Sequence, residues 1–343
     1  MPPLSYILRY SRQTLYALIF LAGATAPVTA AEADAHCQGK DMLAEMQANK
    51  PELYAKVMAE SDQLSNTEAM LWKIEKPGSG RSYLFGTMHL SDPRISQLSP
   101  AAKAAIAQSK SVALEVADLS PEAVAAAMAK AAKLTVYTDG KSLKRALSND
   151  DYYRVEEILK RSGMPAEFAG VMKPWLVSML LSTSDCERKQ IAAGKTVLDL
   201  QVAAEAKKNG ITVTGLETID SQIVALASLS DDQQLAILKV ELDYIDRADD
   251  MMETMVQMYS KRQIGAALPF QLALAVESGA PPSTFDGFKK ALLIDRNAKM
   301  RDAALPLLER GNAFIAIGAL HLPGPTGLVT LLRESGYTVT PVE

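Results

Sequence analysis

Short apolar runs, each bounded by turn-forming residues, recur along this chain and are typical of buried β-strands. Longer segments with apolar residues at helical spacing lie between most of them. Strands are predicted at residues 71–75, 82–88, 111–116, 211–217, 313–317 and 337–341. Helices, broken at Gly163 and Pro174 and by the polar segment 295–297, are predicted at residues 41–48, 51–63, 99–109, 120–133, 142–193, 196–209, 221–261, 288–309 and 325–334.

Strand-bearing segments at both ends of the chain enclose a mostly helical middle. The order strand, helix, strand across residues 82–116 is that of a βαβ unit, whose right-handed crossover joins parallel strands. We therefore predict the α/β class, with a mixed sheet, parallel βαβ units and flanking helices in a single domain over residues 32–343. A large helical insertion is expected at about 118–195, and a helical cap at about 219–305.

Two of the three histidines stand in the same local pattern, an apolar run followed by Gly, two residues, His and Leu. One copy contains Gly86 and His89, and the other contains Gly318 and His321. Glycine lets the backbone turn or approach a ligand closely, and each His would follow the carboxyl end of its strand, where α/β sheets bind ligands. A single such His is more often a hydrogen-bonded boundary residue, but a matched pair favours a shared functional site.

Two carboxylates end other predicted strands. Glu115 follows the run 111–114, and Glu217 follows the run 211–216. Because the crossover makes the flanking strands parallel, Glu115 should lie at the same edge of the sheet as His89. Arg296 could bind one of these carboxylates or face solvent, and composition alone favours solvent.

The four strand-end residues suit a divalent metal. Imidazole and carboxylate groups bind Zn, Mn, Fe or Co, and two His with one or two acids leave positions open for water. We expect His89, Glu115 and His321 to bind the metal, with Glu217 as a second carboxylate or general base and Arg296 as a further candidate. Such a site would hydrolyse a peptide or ester. The spacing alone does not identify the metal.

Other chemistry has less support in the sequence. The chain contains no Gly-x-Ser-x-Gly elbow, no phosphate-binding P-loop and no Gly-x-Gly-x-x-Gly after the first strand. Two alternatives stay open. One is a metal-independent, esterase-like hydrolase in which His89 or His321 is a general base steered by a Glu. The other is a non-catalytic protein that binds haem or a peptide beside Met88.

Four methionines, Met251, Met252, Met255 and Met258, fall on helical spacing in the region 221–261. Methionine is flexible and polarisable, and it fills cores and lines adaptable binding surfaces. This pattern indicates a core or an apolar groove rather than a metal site.

The first 31 residues have the features of a cleavable signal peptide. Arg9 and Arg12 precede an apolar core at 15–26, and small residues at 28–30 offer a cleavage site. We expect a periplasmic or secreted protein with no stable membrane span after cleavage. Loss of the two arginines changes the formal net charge from −4 to −6. A mildly acidic chain argues against a nucleic-acid partner.

Cys37 and Cys186 are the only cysteines. An exported protein meets oxidising conditions, so an intramolecular disulfide between them is a reasonable expectation. Two thiols so far apart in sequence could equally be unpaired. Sequence alone leaves both states open.

The chain resembles the TraB/GumN family, which includes the pheromone-shutdown protein PrgY and the TIKI proteases of animals. The match covers about Leu71 to Val342, and the order of its short motifs makes it specific. The residues that carry it are 84–89, Ala113, Leu114, Glu115, 215–218, Gln222, Arg296, Asn297, Met300 and 316–324.

This resemblance implies an α/β fold related to the erythromycin-esterase and haem-binding ChaN groups. For the TIKI branch it also implies a metal-dependent peptidase whose two Gly-x-x-His histidines and glutamate correspond to His89, His321 and Glu115. Glu217 and Arg296 fall on further family positions. The resulting hypothesis is an exported hydrolase, peptidase-like, that uses Mn, Co or Zn and acts on an unidentified peptide or protein.

Overall fold

A six-stranded mixed sheet lies at the centre of the computed structural model, which describes residues 37–343. The strands are Leu71–Glu75 (β1), Ser82–Thr87 (β2), Ser111–Leu114 (β3), Thr212–Gly215 (β4), Ala313–Gly318 (β5) and Thr338–Pro341 (β6). Their order in the sheet is β4-β3-β5-β2-β1-β6. Both ends of each strand lie within two residues of the predicted ends. The predicted α/β class is confirmed. The predicted signal peptide lies outside the described residues.

Strand β5 occupies the position between β2 and β3 and runs parallel to both. Strand β4 is parallel to β3, whereas β1 pairs antiparallel with β2 in the predicted hairpin and with β6 on its other side. In the β2–β5 register Thr87 lies opposite Gly318, so the two Gly-x-x-His motifs leave adjacent strands side by side. Glu115 follows β3 on the other side of β5.

Helices cover the sheet and fill the segments between strands. Several begin at a serine that caps the first turn; Ser99, for example, accepts a hydrogen bond from the Ala102 N–H, and Pro100 supplies the fixed φ of the first position. In the part of the chain that the structure describes, the α-helices are Met42–Asn49, Pro51–Asp62, Pro100–Ala107, Pro121–Lys130, Ala132–Thr135, Leu143–Ala146, Asn149–Arg161, Pro174–Leu181, Asp185–Ala192, Leu198–Lys208, Ile219–Ala227, Asp231–Asp243, Ala248–Ser260, Ala267–Glu277, Asp286–Phe288, Asp295–Arg310 and Leu328–Glu334. Within residues 37–343, none of the helices has the length and apolar content that crossing a bilayer requires.

Three apolar clusters stabilise this arrangement in residues 37–343, and two of them are large. The larger surrounds the sheet and includes the fully buried Trp72 and Phe314. The smaller contains Leu143, Leu159 and Leu238, which come from helices between β3 and β4 and between β4 and β5. The site described below lies at the carboxyl ends of the parallel strands, above the larger core.

The helix predicted for 288–309 is not broken at its polar segment, contrary to the prediction. Residues 286–310 are continuously helical and include a π-helical turn at Lys289–Ile294. Arg296 and Asn297 follow this turn and face partners at the sheet edge, so their polarity reflects a site rather than an interruption. Single π-helical turns often occur at functional sites.

Cys37 and Cys186 form a disulfide, which decides the alternative that the sequence left open. The bond joins the segment before the first described helix to the helix Asp185–Ala192, across 149 positions of sequence. Closing so long a loop restricts the unfolded chain and thereby stabilises the folded one.

We predict that the double variant Cys37→Ala/Cys186→Ala loses about 2–5 kcal/mol of unfolding free energy, because the unfolded chain regains its freedom. Guanidinium unfolding of the oxidised wild type and the variant measures the difference. A reductant should lower the wild-type midpoint to that of the variant and leave the variant unchanged. Equal midpoints in oxidised wild type and variant would contradict a stabilising role.

Candidate active site

The two motif glycines have different structural roles. A Cβ at Gly86 would lie 2.5 Å from Leu322 Cδ1 and 3.2 Å from the Ala319 Cα, so this glycine lets the second motif pack onto the first. A Cβ at Gly318 would lie 3.1 Å from Glu115 Oε1 and 3.5 Å from His89 Nε2. The absence of a side chain at Gly318 therefore leaves the space in which Glu115 and His89 approach each other.

His89 is oriented by a carboxylate that the sequence did not single out. Its Nδ1 lies 2.8 Å from Asp199 Oδ2, and the Thr87 hydroxyl donates to Asp199 Oδ1 at 2.8 Å. The charge of Asp199 raises the pKa of His89 to about 9. Since Nδ1 donates to Asp199, Nε2 is the nitrogen directed toward Gly318. The surrounding charges thus favour a cation at this Nε2, whether a proton or a metal.

His321 is buried and oriented by an amide. Its Nδ1 lies 2.6 Å from Asn297 Oδ1, and Asn297 Nδ2 donates to the Thr326 carbonyl at 2.7 Å. Because a carbonyl only accepts, the amide orientation is fixed and His321 Nδ1 must be the donor. Burial lowers the pKa of His321 to about 4, so the ring is neutral at neutral pH. Its Nε2 lone pair is then available 3.7 Å from Glu115 Oε1.

Arg296 joins the two strand-end carboxylates. Its Nη2 lies 2.6 Å from Glu115 Oε2 and 2.6 Å from Glu217 Oε2, and its Nε donates to the same Glu217 oxygen at 2.9 Å. The expectation that Arg296 faces solvent is wrong, since its side chain is only 12% exposed. Pairing with two carboxylates offsets the cost of burying the guanidinium.

Glu115 is held ionised by the groups around it. Burial opposes ionisation, but the charges of His321, His89 and Arg296 lower the pKa of Glu115 to about 2. The Gly318 N–H donates to Oε1 at 2.6 Å, and Gln222 Nε2 donates to Oε2 at 3.1 Å. A carboxylate with this many donors is fixed in position and carries a full negative charge at neutral pH.

The donor set fits one divalent cation in chemistry and orientation. Each imidazole is held through Nδ1 and directs Nε2 inward, which is the arrangement of outer partners around metal-binding histidines. Ligands at 2.0–2.2 Å from one ion lie within about 4.4 Å of each other. Within residues 37–343, the donor atoms of His89, Glu115 and His321 do not all lie within 4.8 Å of one another, so at least one of these side chains would have to move to bind one ion. The His89 side chain, 60% exposed, has room to move.

A cavity of about 390 Å³ gives access to these residues. His89, Glu115 and Asp199 line one side of this cleft, and Met252 and Met255 belong to its apolar lining. Glu187 also lines it and accepts a hydrogen bond from the Ser91 N–H at 2.7 Å. Burial raises the pKa of Glu187.

Glu217 has a different environment from the other predicted site residues. Its side chain is 3% exposed and lines a separate cavity with Thr218 and Val116. Its Oε2 is bound by Arg296, while Oε1 has no hydrogen-bond partner among the residues that the structure describes. The structure therefore brings His89, Glu115 and His321 together and places Glu217 behind them, on the far side of Arg296.

Sequence reasoning missed Asp199 and Glu187. Asp199 lies in the first turn of the helix Leu198–Lys208, where acids are common because they favour the helix dipole, so it carries no distinctive signal. Glu187 follows Cys186 in a polar helix. Only the tertiary structure brings either residue to the cleft.

Comparison with known families identifies the group to which this chain belongs. The model of the TraB/PrgY/gumN family matches residues 70–341. The chain belongs to the TraB/PrgY/gumN family. The family resemblance seen in the sequence is thereby confirmed. The residues that line the cleft, from Met88 to Met255, and the buried His321 all lie inside the matched region.

Relatives of this TraB/PrgY/gumN chain include proteins named as metalloproteases. Metalloprotease TIKI2 of Danio rerio is 25% identical over 316 residues, covering 79% of this chain and 60% of the relative. The uncharacterized protein YbaP of Shigella flexneri is 23% identical over 76% of this chain and 90% of its own length. This chain thus spans less than two thirds of the TIKI2 relative. No solved structure matches it.

We predict that Arg296→Met destabilises the protein by about 3–5 kcal/mol at pH 7.5, because two buried carboxylates lose their cation. Without the guanidinium, we expect burial to raise the pKa of Glu115 in the folded state above its value in the unfolded chain. A raised carboxyl pKa favours the folded state as pH falls, so the deficit should shrink between pH 7.5 and pH 5. Denaturant unfolding at both pH values measures it.

The control for this experiment is Arg301→Met, in the same helix, whose ion pair within residues 37–343 is with the neighbouring Asp302 alone. A surface pair of this kind contributes at most about 1 kcal/mol. Equal losses in the two variants, or a deficit at Arg296 that does not change with pH, would contradict the role of the guanidinium.

We also predict that Gly318→Ala keeps the fold and weakens binding of Zn²⁺ or Mn²⁺ by about 10- to 100-fold, because the methyl group presses on Glu115 and His89. Competition with a chromophoric chelator measures affinity, and thermal unfolding checks the fold. Gly170→Ala is the matched control, since its methyl group would meet only the Tyr152 hydroxyl at 3.4 Å. Unchanged affinity in Gly318→Ala would show that the donors do not meet over this residue.

Proposed function

We propose that this protein is an exported hydrolase that depends on a divalent transition metal and cleaves peptide bonds. The observation that carries the proposal is that His89 Nε2, the His321 ring and the ionised Glu115 come together at Gly318, with His321 Nε2 3.7 Å from Glu115 Oε1. The metalloprotease names of its TIKI relatives support the same activity. Export, to the periplasm or the medium, rests on the leader sequence and agrees with the disulfide.

His89, Glu115 and His321 would hold the metal. Mn, Co and Zn all accept two imidazoles and a carboxylate. The metal would supply a Lewis acid that polarises the scissile carbonyl and stabilises its developing negative charge. Asp199 and Asn297 are positioning residues, because each fixes the ring of one histidine through Nδ1.

We assign proton transfer in the cleft to Glu187. Its carboxylate lines the same cavity as His89 and Glu115, and burial raises its pKa toward the range of an effective general base. Glu217, the base proposed from sequence, is bound to Arg296 and lines another cavity. In this assignment Glu217 balances the charge of Arg296 and so holds Glu115 in place.

The structure gives less support to metal-independent hydrolysis through a His89–Asp199 pair. The two residues have the geometry of a general base and its orienting acid. However, a pKa of about 9 leaves His89 protonated at neutral pH, and a protonated imidazole cannot accept the proton of a nucleophile.

We expect the purified protein to bind roughly one transition-metal ion per chain and the variant His89→Ala/His321→Ala to bind none after identical handling. Elemental analysis measures the content. A chelator should abolish peptide hydrolysis, and Mn, Co or Zn should restore it. Hydrolysis that survives chelation would contradict the proposal, and stoichiometric peptide binding without product would favour a non-catalytic binding protein.

Two further variants separate the residue roles in this experiment. Glu187→Gln should retain the metal and lower kcat by about 10²- to 10⁴-fold, which is the usual contribution of a general base. Asp199→Asn should weaken metal affinity by about 10- to 100-fold, because His89 loses its orienting carboxylate. Loss of metal in Glu187→Gln would remove Glu187 from its assigned role.

A further inference from the structure

A second cavity adjoins the cleft. It has a volume of about 270 Å³ and is lined by the helices Asp231–Asp243, Ala248–Ser260 and Ala267–Glu277, among other residues. The side chains of Ser182, Met252 and Met255 line both cavities. A substrate bound in the cleft could therefore extend a side chain past these residues into the second cavity.

The lining of the second cavity is mostly apolar and carries a single charge. Among the described residues that line it, Glu241 is the only charged one, and the methionines Met251, Met252 and Met255 contribute flexible thioethers. No lysine, arginine or histidine belongs to this lining in the part of the chain that the structure describes. The cavity thus combines long apolar walls with one uncompensated acid.

Within the described part of the chain, Glu241 lacks the cationic partner that Glu115 and Glu217 have. Its Oε2 is inaccessible to solvent and has no hydrogen-bond partner within residues 37–343. Burial raises the pKa of Glu241 to about 7. By contrast, Glu115 and Glu217 share Arg296. A carboxylate with a buried oxygen and no cation beside it is costly, so the position is better explained by a partner that arrives with the ligand.

We propose that this cavity is a subsite for the side chain of a lysine or arginine residue of the substrate. The aliphatic stem would lie against the methionines, and the cationic head would pair with the Glu241 carboxylate. A neutral side chain of the same length would leave the acid unpaired, and an acidic one would add repulsion. This inference rests on the proposed peptidase function, because that function is the reason to expect a peptide in the cleft.

Peptide binding to a chain that cannot turn over tests the subsite separately from catalysis. The probes are two fluorescein-labelled octapeptides of glycine and alanine, one with a central lysine and the other with norleucine in its place. Fluorescence polarisation with the His89→Ala/His321→Ala chain measures both affinities. We expect the lysine peptide to bind about 10- to 100-fold more tightly than the norleucine peptide, because a hydrogen bond to a buried charged group typically contributes this much affinity.

The same measurement on Glu241→Gln decides which residue confers the selectivity. The substitution keeps the shape of the side chain and removes its charge, so the preference for lysine should disappear without loss of thermal stability. Asp243→Asn is the matched control, since Asp243 is an exposed acid of the same helix and does not line the cavity. It should keep the full preference.

The outcomes distinguish failure of the subsite from failure of the proposed function. Equal binding of the two peptides, or a preference that persists in Glu241→Gln, would overturn the subsite even if the wild type cleaves peptides. A lysine preference that Glu241→Gln abolishes would support the subsite, even if wild-type protein loaded with metal shows no cleavage.

Discussion

Parallel pairing of β2 and β5 is the constraint on which the candidate site depends. The register places Thr87 opposite Gly318, so two histidines 232 positions apart in sequence leave the sheet side by side. The pairing leaves no space for a side chain at Gly86, where the second motif packs, and a side chain at Gly318 would press on Glu115 and His89. Since β3 flanks β5 on the other side, the same constraint delivers Glu115 to the site.

Electrostatics then give these residues different protonation states within a small volume. Asp199 favours positive charge on His89, whereas burial keeps His321 neutral. Arg296 binds Oε2 of Glu115 and keeps this carboxylate ionised and fixed in position. The other oxygen of Glu115, Oε1, faces the histidines. A cation bound between them would therefore meet a negative carboxylate and a free imidazole lone pair, and it would compete with a proton only at His89.

The sequence predicted those parts of the structure that depend on local pattern. The strands, the βαβ unit and the paired motifs follow from apolar runs and turn residues, and the edge shared by His89 and Glu115 follows because a βαβ crossover joins parallel strands. Strand order could not be predicted, because it is a tertiary property. The same limit explains Arg296, which composition assigned to solvent, and Asp199, which looks like an ordinary acid at a helix start. Both acquire their roles only from partners distant in sequence.

The lining of the cleft differs in rigidity from place to place, and segment 37–42 links two of the helices that contribute to it. His89, Glu115 and Asp199 are fixed by hydrogen bonds, whereas Met252 and Met255 make an adaptable apolar wall. Cys37 forms the disulfide with the helix Asp185–Ala192, which carries Glu187. The backbone N–H groups of Lys40 and Met42 donate hydrogen bonds to Asp250 and Thr254 in the helix Ala248–Ser260, which carries the methionines. One short segment therefore restrains both helices. Such a wall can accept varied apolar stems, while the position of Glu241 sets where a charge can be bound.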